Sequence, residues 1–448
     1  MRKLVIAIVV AAIAIAVVMW QQYRPLPGSV AVMVNNTPYP AAAVDLFVQL
    51  ARKNKPDIPR RQVVDGLIEN QLLTEYGQRQ HQGETHHDGG SGLVAYSRET
   101  HQENELFRLL RSVYGEQINA SLKQRQAGNP SDLLVSPLTL DAQQLAPMLT
   151  LAPGLYTVMN DEQQQAARHL VLGRVRLASS AERDITLWDI YSRQNIQLKV
   201  QLHEMNLEFL QQAVYQYVAT AYVIDWFEHR SGLTVEARDA VNRMVMQRLS
   251  KDEVMHELGM MQDIHDENEQ LKALAEQVSP EEISNFYMNN RDAFRRVEKV
   301  RARHIRLDSQ DKADKVFREI NQGLPFDEAV RKYSSAADAA NDPAGELGWI
   351  ERHDRNTDWL RGLAFVQPEG RVSPPFRSPA ISGNTPYWEI LLLDEKVIGY
   401  QPPDSEGVRY EASRAIARQK LADQTAALRQ SLFDNADIRY NQRYLDHE

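Results

Sequence analysis

The sequence of 448 residues contains no cysteine. That absence excludes thiol nucleophiles, zinc-thiolate sites and disulfides together. It also suits an oxidising compartment, where a stray thiol is a hazard. Nor is there an excess of basic charge. With 51 Lys and Arg against 60 Asp and Glu the net charge is −9, and no basic stripe offsets it, so no nucleic acid is expected as a partner. A phosphate-cradling loop, a nucleophile elbow and a zinc-protease helix are missing too. Long apolar runs are absent, with one exception at the start.

That exception is the unbroken run from Leu4 to Trp20. As a helix it spans roughly 26 Å at ~1.5 Å per residue, close to the hydrocarbon thickness of a bilayer. Arg2 and Lys3 precede it, and Trp20 and Tyr23 sit at the level of an interfacial aromatic belt. The positive-inside rule then places residues 24–448 outside the cytoplasm. A cleaved signal peptide is the rival reading. The length of the run and the bulky residues after it favour an uncleaved anchor over residues 1–24, with residues 4–20 in the inner membrane.

Beyond the anchor, Val30 to Val34 alternates as a strand and Asn35-Asn36 turns it. Helical periodicity follows over about 41–52, 61–78 and 97–125. His81 to Gly92 is a polar, glycine-rich loop. His86-His87-Asp88 within it has no second ligand cluster at useful spacing, so no metal site is expected. From Leu170 to Val200 the chain carries β-branched, alternating patches, clearest over Ile196 to Leu202 where every second residue is apolar, and reads as a small strand region, whereas 207–274 is helical almost throughout. At Ser279-Pro280-Glu281-Glu282 a serine caps, a proline takes the first helical position, and Glu282 can return the capping hydrogen bond. After a Pro-rich linker, 410–432 is one long amphipathic helix that needs a partner surface, and the N-terminal helices are the expected one.

The stretch 299–394 carries strand, helix, helix, short helix and strands. Its phrases are Ala302-Arg-His-Ile305, Gly323-Leu-Pro-Phe-Asp-Glu-Ala329, Lys332-Tyr-Ser334, Gly345-Glu-Leu-Gly-Trp349, Leu363-Ala-Phe365 and Gly370-Arg-Val-Ser-Pro-Pro375. In this order and near this spacing they resemble the parvulin family of prolyl cis/trans isomerases. The flanks (Val34-Asn-Asn-Thr37, Leu67-Ile-Glu-Asn-Gln-Leu-Leu73, the Ser279 helix start and the C-terminal helix) are similar to SurA-type and PpiD-type periplasmic chaperones. The implied fold class is α+β: a mostly helical SurA-like lobe over 28–296, a parvulin (FKBP-like) α/β domain over 297–398, and a helix over 408–448 returning to the lobe.

Parvulins surround the twisting amide with two histidines, a cysteine or aspartate between them, and an apolar slot for the proline ring. His304 matches the first histidine, and Trp388 stands where the second is expected. Counting from Ser334 places Ala336 at the middle acid, whereas counting back from Gly345 places Asp338 there. Leu360 and Phe365 match the slot, and Asn356 replaces its methionine. The resemblance thus implies His304 and Asp338 as catalytic residues, with Leu360, Phe365, Trp388 and Asn356 around the substrate. No cofactor and no metal are implied. Unfolded or newly exported polypeptides are the implied partners. Losing the second histidine makes a peptide-binding domain with weak or absent catalysis at least as good a reading as an active isomerase. A dedicated accessory subunit of a secretion or membrane complex is a third.

Overall fold

The computed structural model describes residues 25–80, 96–151, 158–260, 268–353, 358–380 and 385–446. The expected anchor over 4–20, the loop with His86-His87-Asp88, and Asn356 lie outside the described residues. Among the described residues no helix is long and apolar enough to cross a membrane. The chain divides into two compact units, one formed by 1–264 with 423–448 and the other by 265–422.

The first unit opens with a hairpin of β1 (Val30–Val34) and β2 (Thr37–Pro40). Asn35 and Asn36 have φ of 45° and 64°. Two consecutive left-handed residues make the two-residue turn whose twist matches the strands, and asparagine tolerates that backbone. Helices α1 (Ala41–Asn54) and α2 (Arg60–Gln80) follow. The latter buries Val64, Leu67, Ile68, Leu72 and Leu73, a stripe at three- and four-residue spacing. Next come α3 (Arg98–Val113), α4 (Gly115–Gln124), α5 (Ala142–Leu149) and α6 (Asp161–His169). A hairpin of β3 (Val171–Arg176) and β4 (Glu182–Thr186) leads to α7 (Leu187–Tyr191), α8 (Ile196–His203), α9 (Leu207–Arg230) and α10 (Val235–Glu257).

The strand expected over 196–202 is therefore a helix. The Asn195 side chain accepts the Leu198 N–H at 2.9 Å and caps α8. A two-residue apolar alternation makes a strand only where a neighbouring strand supplies a ladder, and none pairs here. As a helix the same residues scatter around the axis, so only Leu202 of the segment is buried.

In the second unit, α11 (Glu269–Glu276) and α12 (Pro280–Asn289) precede β5 (Arg295–Leu307). The capping box forms as read: Glu282 N–H donates to Ser279 Oγ at 3.2 Å, and Ser279 N–H donates to Glu282 Oε2 at 2.8 Å. Then follow α13 (Gln310–Asn321), α14 (Phe326–Tyr333), β6 (Glu346–Glu351), α15 (Trp359–Ala364), β7 (Phe376–Arg377) and β8 (Trp388–Tyr400). The antiparallel sheet has the order β6-β5-β8-β7. Strand alternation divides its side chains between two cores. Ile305, Leu307 and Ile390 pack under α13 and α14 against Val316, Phe326 and Val330. Val300, Ala302, Leu391 and Leu393 pack on the opposite face against Leu360 and Ala364 of α15.

The last long helix, α16 (Glu406–Asp434), begins in the second unit. There Val408 and Ala412 cover Ile283, Tyr287 and Phe294, while Ala417 and Leu421 cover Leu271. Leu432, near its end, packs against the cluster of Leu73, Val254 and Met255 in the first unit. Strand β9 (Ile438–Tyr440) then pairs with β1, giving the sheet order β2-β1-β9, and α17 (Gln442–Asp446) follows.

Candidate functional site

His304 lies on β5 and is 3% exposed. Its Nδ1 is 2.7 Å from Glu389 Oε2, and its Nε2 is 2.9 Å from Asp338 Oδ2. Glu389 is wholly buried on β8, and its second oxygen accepts from Arg306 Nε at 2.7 Å. A ring flanked by two carboxylates satisfies both only when both nitrogens carry protons. Burial opposes that charged form, but the hydrogen bond and charge of Glu389, with those of Asp338, outweigh it and raise the His304 pKa. The site is thus a balanced set, with His304 and Arg306 against Glu389 and Asp338.

Three local features hold this set. Gly345 has φ of 69°, and a Cβ there would collide with the His304 carbonyl oxygen. Only glycine lets β6 approach so closely, and the His304 N–H donates to Gly345 O at 2.9 Å. Ser334 Oγ accepts the Arg306 N–H at 3.1 Å and anchors the turn that leads to Asp338. Ser373, 1% exposed, accepts the Leu391 N–H on Oγ at 2.9 Å and donates to Pro374 O. These positions explain why the phrases containing Gly345, Ser334 and Ser373 sit where they do.

Of the residues read from the sequence, His304 and Asp338 meet. Ala336, the other candidate for the middle acid, offers no polar side chain, so the count back from Gly345 finds the residue in contact. Trp388 is on the other face. It pairs with Leu307 and packs in the cluster under α13 and α14, whereas Arg306 pairs with Glu389. The residue that shares the His304 face is Glu389, one position on. Leu360, 3% exposed, is core beneath that face, and Phe365 lies half-buried at its rim under the Arg352 guanidinium. Four neighbours escaped the sequence reading: Glu389, Arg306, and the aromatic pair Trp359 and Tyr387. The two rings are 6.4 Å apart, and Arg306 sits 4.4 Å above Tyr387. The signal available for Glu389 was an acid in an otherwise apolar strand, Trp388-Glu-Ile-Leu-Leu-Leu393.

The raised His304 pKa fixes a sign. The folded chain keeps the proton at a pH where the unfolded chain, titrating near 6.5, has released it. The stability this gives is therefore full below about pH 6.5 and is lost as pH rises through the higher folded-state value. Hydrogen-exchange protection of β5 amides, corrected for intrinsic rates, is expected to fall as pH rises above about 6.5. His304 ring resonances should titrate above the ordinary histidine range. Titration at or below it would refute the balanced set.

With this geometry described, comparison with known proteins defines the class. Residues 278–409 match the family described as PPIC-type PPIASE domain, and this part of the chain is a parvulin-type peptidyl-prolyl isomerase domain. Among curated proteins, the chain is similar to chaperone SurA of Thiobacillus denitrificans, with 28% identity over 144 residues, 30% of this chain and 29% of that protein. It is also similar to the foldase protein PrsA of Bacillus subtilis, with 26% identity over 143 residues, 31% of this chain and 44% of that one. The chain thus spans less than half the length of either relative. Two solved structures overlap loosely. One, from a Campylobacter jejuni study of the SurA-like chaperones PEB4 and Cj1289, has a TM-score of 0.28 at 12% identity, covering 92% of this chain and 99% of that one. The other, PrsA from Streptococcus pneumoniae, has a TM-score of 0.22 at 18% identity, covering 53% and 72%. Overlaps this loose establish no common arrangement of the whole chain.

Proposed function

We propose that this chain is a membrane-anchored periplasmic foldase of the chaperone type. It holds proline-containing segments of newly exported polypeptides, and its parvulin-type domain binds peptide with weak or lost isomerase activity. The apolar run over 4–20 behind Arg2 and Lys3 supports a single-pass inner-membrane anchor, with a cytoplasmic N-terminus and the bulk of the chain in the periplasm. Similarity to SurA and PrsA supports the foldase reading.

The observation that carries the catalytic part is His304, buried with both ring nitrogens engaged by carboxylates. Rotation about the prolyl bond must cross about 18–20 kcal/mol. A catalyst lowers that barrier with polar groups that reach the twisting amide and bind it more tightly than the planar one. An enclosed imidazolium already shared between Asp338 and Glu389 has no free valence for that task.

Exchange spectroscopy on a Xaa-Pro peptide with the full chain is expected to show isomerisation within about twofold of the uncatalysed rate, with peptide binding retained. An acceleration of ~100-fold, about 2.7 kcal/mol of barrier, that vanishes in Asp338→Ala would establish the active enzyme instead. Pull-down from envelope extracts separates the accessory-subunit reading. A chaperone brings down a mixture, whereas an accessory subunit brings one partner in stoichiometric amount.

A further inference from the structure

The chain enters the first unit at one fixed place. Pro27 O accepts the Val30 N–H at 2.9 Å and the Asn441 side-chain amide at 3.1 Å, and the same amide donates to Val30 O at 2.8 Å. Asn441 is buried, so its carboxamide, bridging two carbonyls, holds the entry point rigidly against the fold. Around it lie β9, α17, the first turns of α2 and the start of α1. Arg60 donates to Tyr444 O at 3.0 Å, Arg61 lies over the Tyr440 ring at 3.7 Å, and the Ala41 N–H donates to Ser29 O at 2.8 Å.

This face is close in sequence to the apolar run. Pro27 is seven residues beyond Trp20 and four beyond Tyr23. Fully extended, those lengths reach at most ~25 Å and ~14 Å. With residues 4–20 in the bilayer and the two rings at its interface, the face around Asn441 is held within that reach of the lipid headgroups.

The side chains on the face suit a phosphate surface. Asp45 and Asp65 are engaged from within. They accept the O–H groups of Tyr444 and Tyr440 at 2.7 and 2.8 Å, and they pair with Arg60 at 3.7 Å and Arg61 at 3.0 Å. Asp446 accepts from Gln442 Nε2 at 3.1 Å. Against these three aspartates stand four arginines, Arg60, Arg61, Arg439 and Arg443, although the whole chain carries −9. Arg61 is exposed, and only its Nε is used by Asp65; neither Nη group has a hydrogen bond among the described residues. Arg443 is exposed and has no hydrogen bond or ion pair among the described residues. A guanidinium with two free nitrogens binds phosphate oxygens in pairs.

We infer that this face of the first unit rests on the bilayer surface, where Arg61 and Arg443 bind the headgroups of anionic phospholipids. The inference rests on the anchor reading above and adds the surface and the lipid chemistry.

With no cysteine in the sequence, one introduced thiol is unique. The full chain with Gln442→Cys, an exposed position beside Asn441, carries a bimane label and is reconstituted into vesicles. These are phosphatidylcholine, alone or mixed with phosphatidylglycerol, with a nitroxide on some of the headgroups. In the mixed vesicles, quenching is expected to be roughly threefold stronger at Gln442 than from Ser180→Cys, at the exposed turn between β3 and β4. Raising the salt concentration, or Arg443→Glu, should bring it down to near the Ser180 level, because both weaken the attraction between charges. Arg443→Glu breaks no contact among the described residues, so its fold is expected to persist. Release of the chain from the vesicles by alkaline carbonate overturns the anchor reading and this face with it. With the chain retained, quenching at Gln442 no greater than at Ser180 overturns the face and leaves the anchor standing. Strong quenching that ignores lipid charge, salt and Arg443→Glu is set by the tether alone and overturns the headgroup contact. A label at Gln442 shielded from both the nitroxide and aqueous iodide is covered by protein, a second copy or another chain, and overturns the lipid as the occupant.

Discussion

Replacing Glu389 by leucine is expected to destabilise the parvulin-type domain by about 3–5 kcal/mol. Glu389 is the one wholly buried member of the site, and both of its oxygens are in use. Without it, the imidazolium of His304 keeps only Asp338. Arg306, whose side chain is 39% exposed, can turn to water, but His304 at 3% cannot. The loss therefore falls on His304, as an uncompensated buried charge or as a proton given up on folding. Hydrogen exchange of β5 and β8 amides should accelerate by a few hundred- to a few thousand-fold where it proceeds by global opening of the domain. Glu389→Leu combined with His304→Leu should recover much of the loss, because a buried ion pair exchanged for apolar residues of similar volume is often neutral. Protection within tenfold of the parent in the single variant would show that Glu389 does not hold the site together.

Truncation after Asn435 is expected to be comparably damaging to the other unit. It removes β9 and with it the pairings Val32↔Tyr440, Met33↔Arg439 and Val34↔Ile438. It also removes Tyr444, which is buried, donates to Asp45 Oδ1 at 2.7 Å and lies under the Arg60 guanidinium at 4.5 Å. Asn441 goes too, and with it the hydrogen bonds to the carbonyls of Pro27 and Val30. Deleting one large buried ring costs about 3–5 kcal/mol, against a domain stability of roughly 5–15 kcal/mol. At a urea slope of roughly 3 kcal/mol per M the midpoint should fall by ~1–2 M. A midpoint within ~0.3 M of the full chain would mean that β1 and α1 do not depend on the C-terminal return.

Much of this architecture is written in short-range signals. The Ser279 capping box, the Asn35-Asn36 turn and the stripe of α2 are each set by residues within a few positions of one another, so the sequence alone discloses them. The α8 segment was misread because its alternation is local, while the ladder a strand requires is not. The site divides along the same line. His304 was legible because a motif phrase contains it, whereas the phrases offered both Ala336 and Asp338 for the middle acid and only the structure shows which one meets the ring. Glu389 was not, because motif alignment assigns a position along β8 and not the face it presents. The face follows from register, Arg306↔Glu389 and His304↔Leu391, and a one-residue step moves a side chain to the other side of the sheet. Trp388 is in the expected place in sequence and on the opposite face in space.

The pairing of β1 with β9 has a consequence for the order of events when the chain is made. Asn35 and Asp437 exchange hydrogen bonds across a separation of 402 residues. At synthesis rates of about 5–20 residues per second, roughly 20–80 s pass between the emergence of the hairpin and that of the strand completing its sheet. The unit over 265–422 is continuous in sequence and has no such wait. It can close while Ala31, Val32 and Val34 still lack a cover on one edge. The β1-β2 hairpin, made about 400 residues before its partner strand, is therefore among the last parts to be sealed. In the interval this chain presents an open strand edge of its own, the feature that makes a nascent polypeptide prone to pairing with the wrong neighbour.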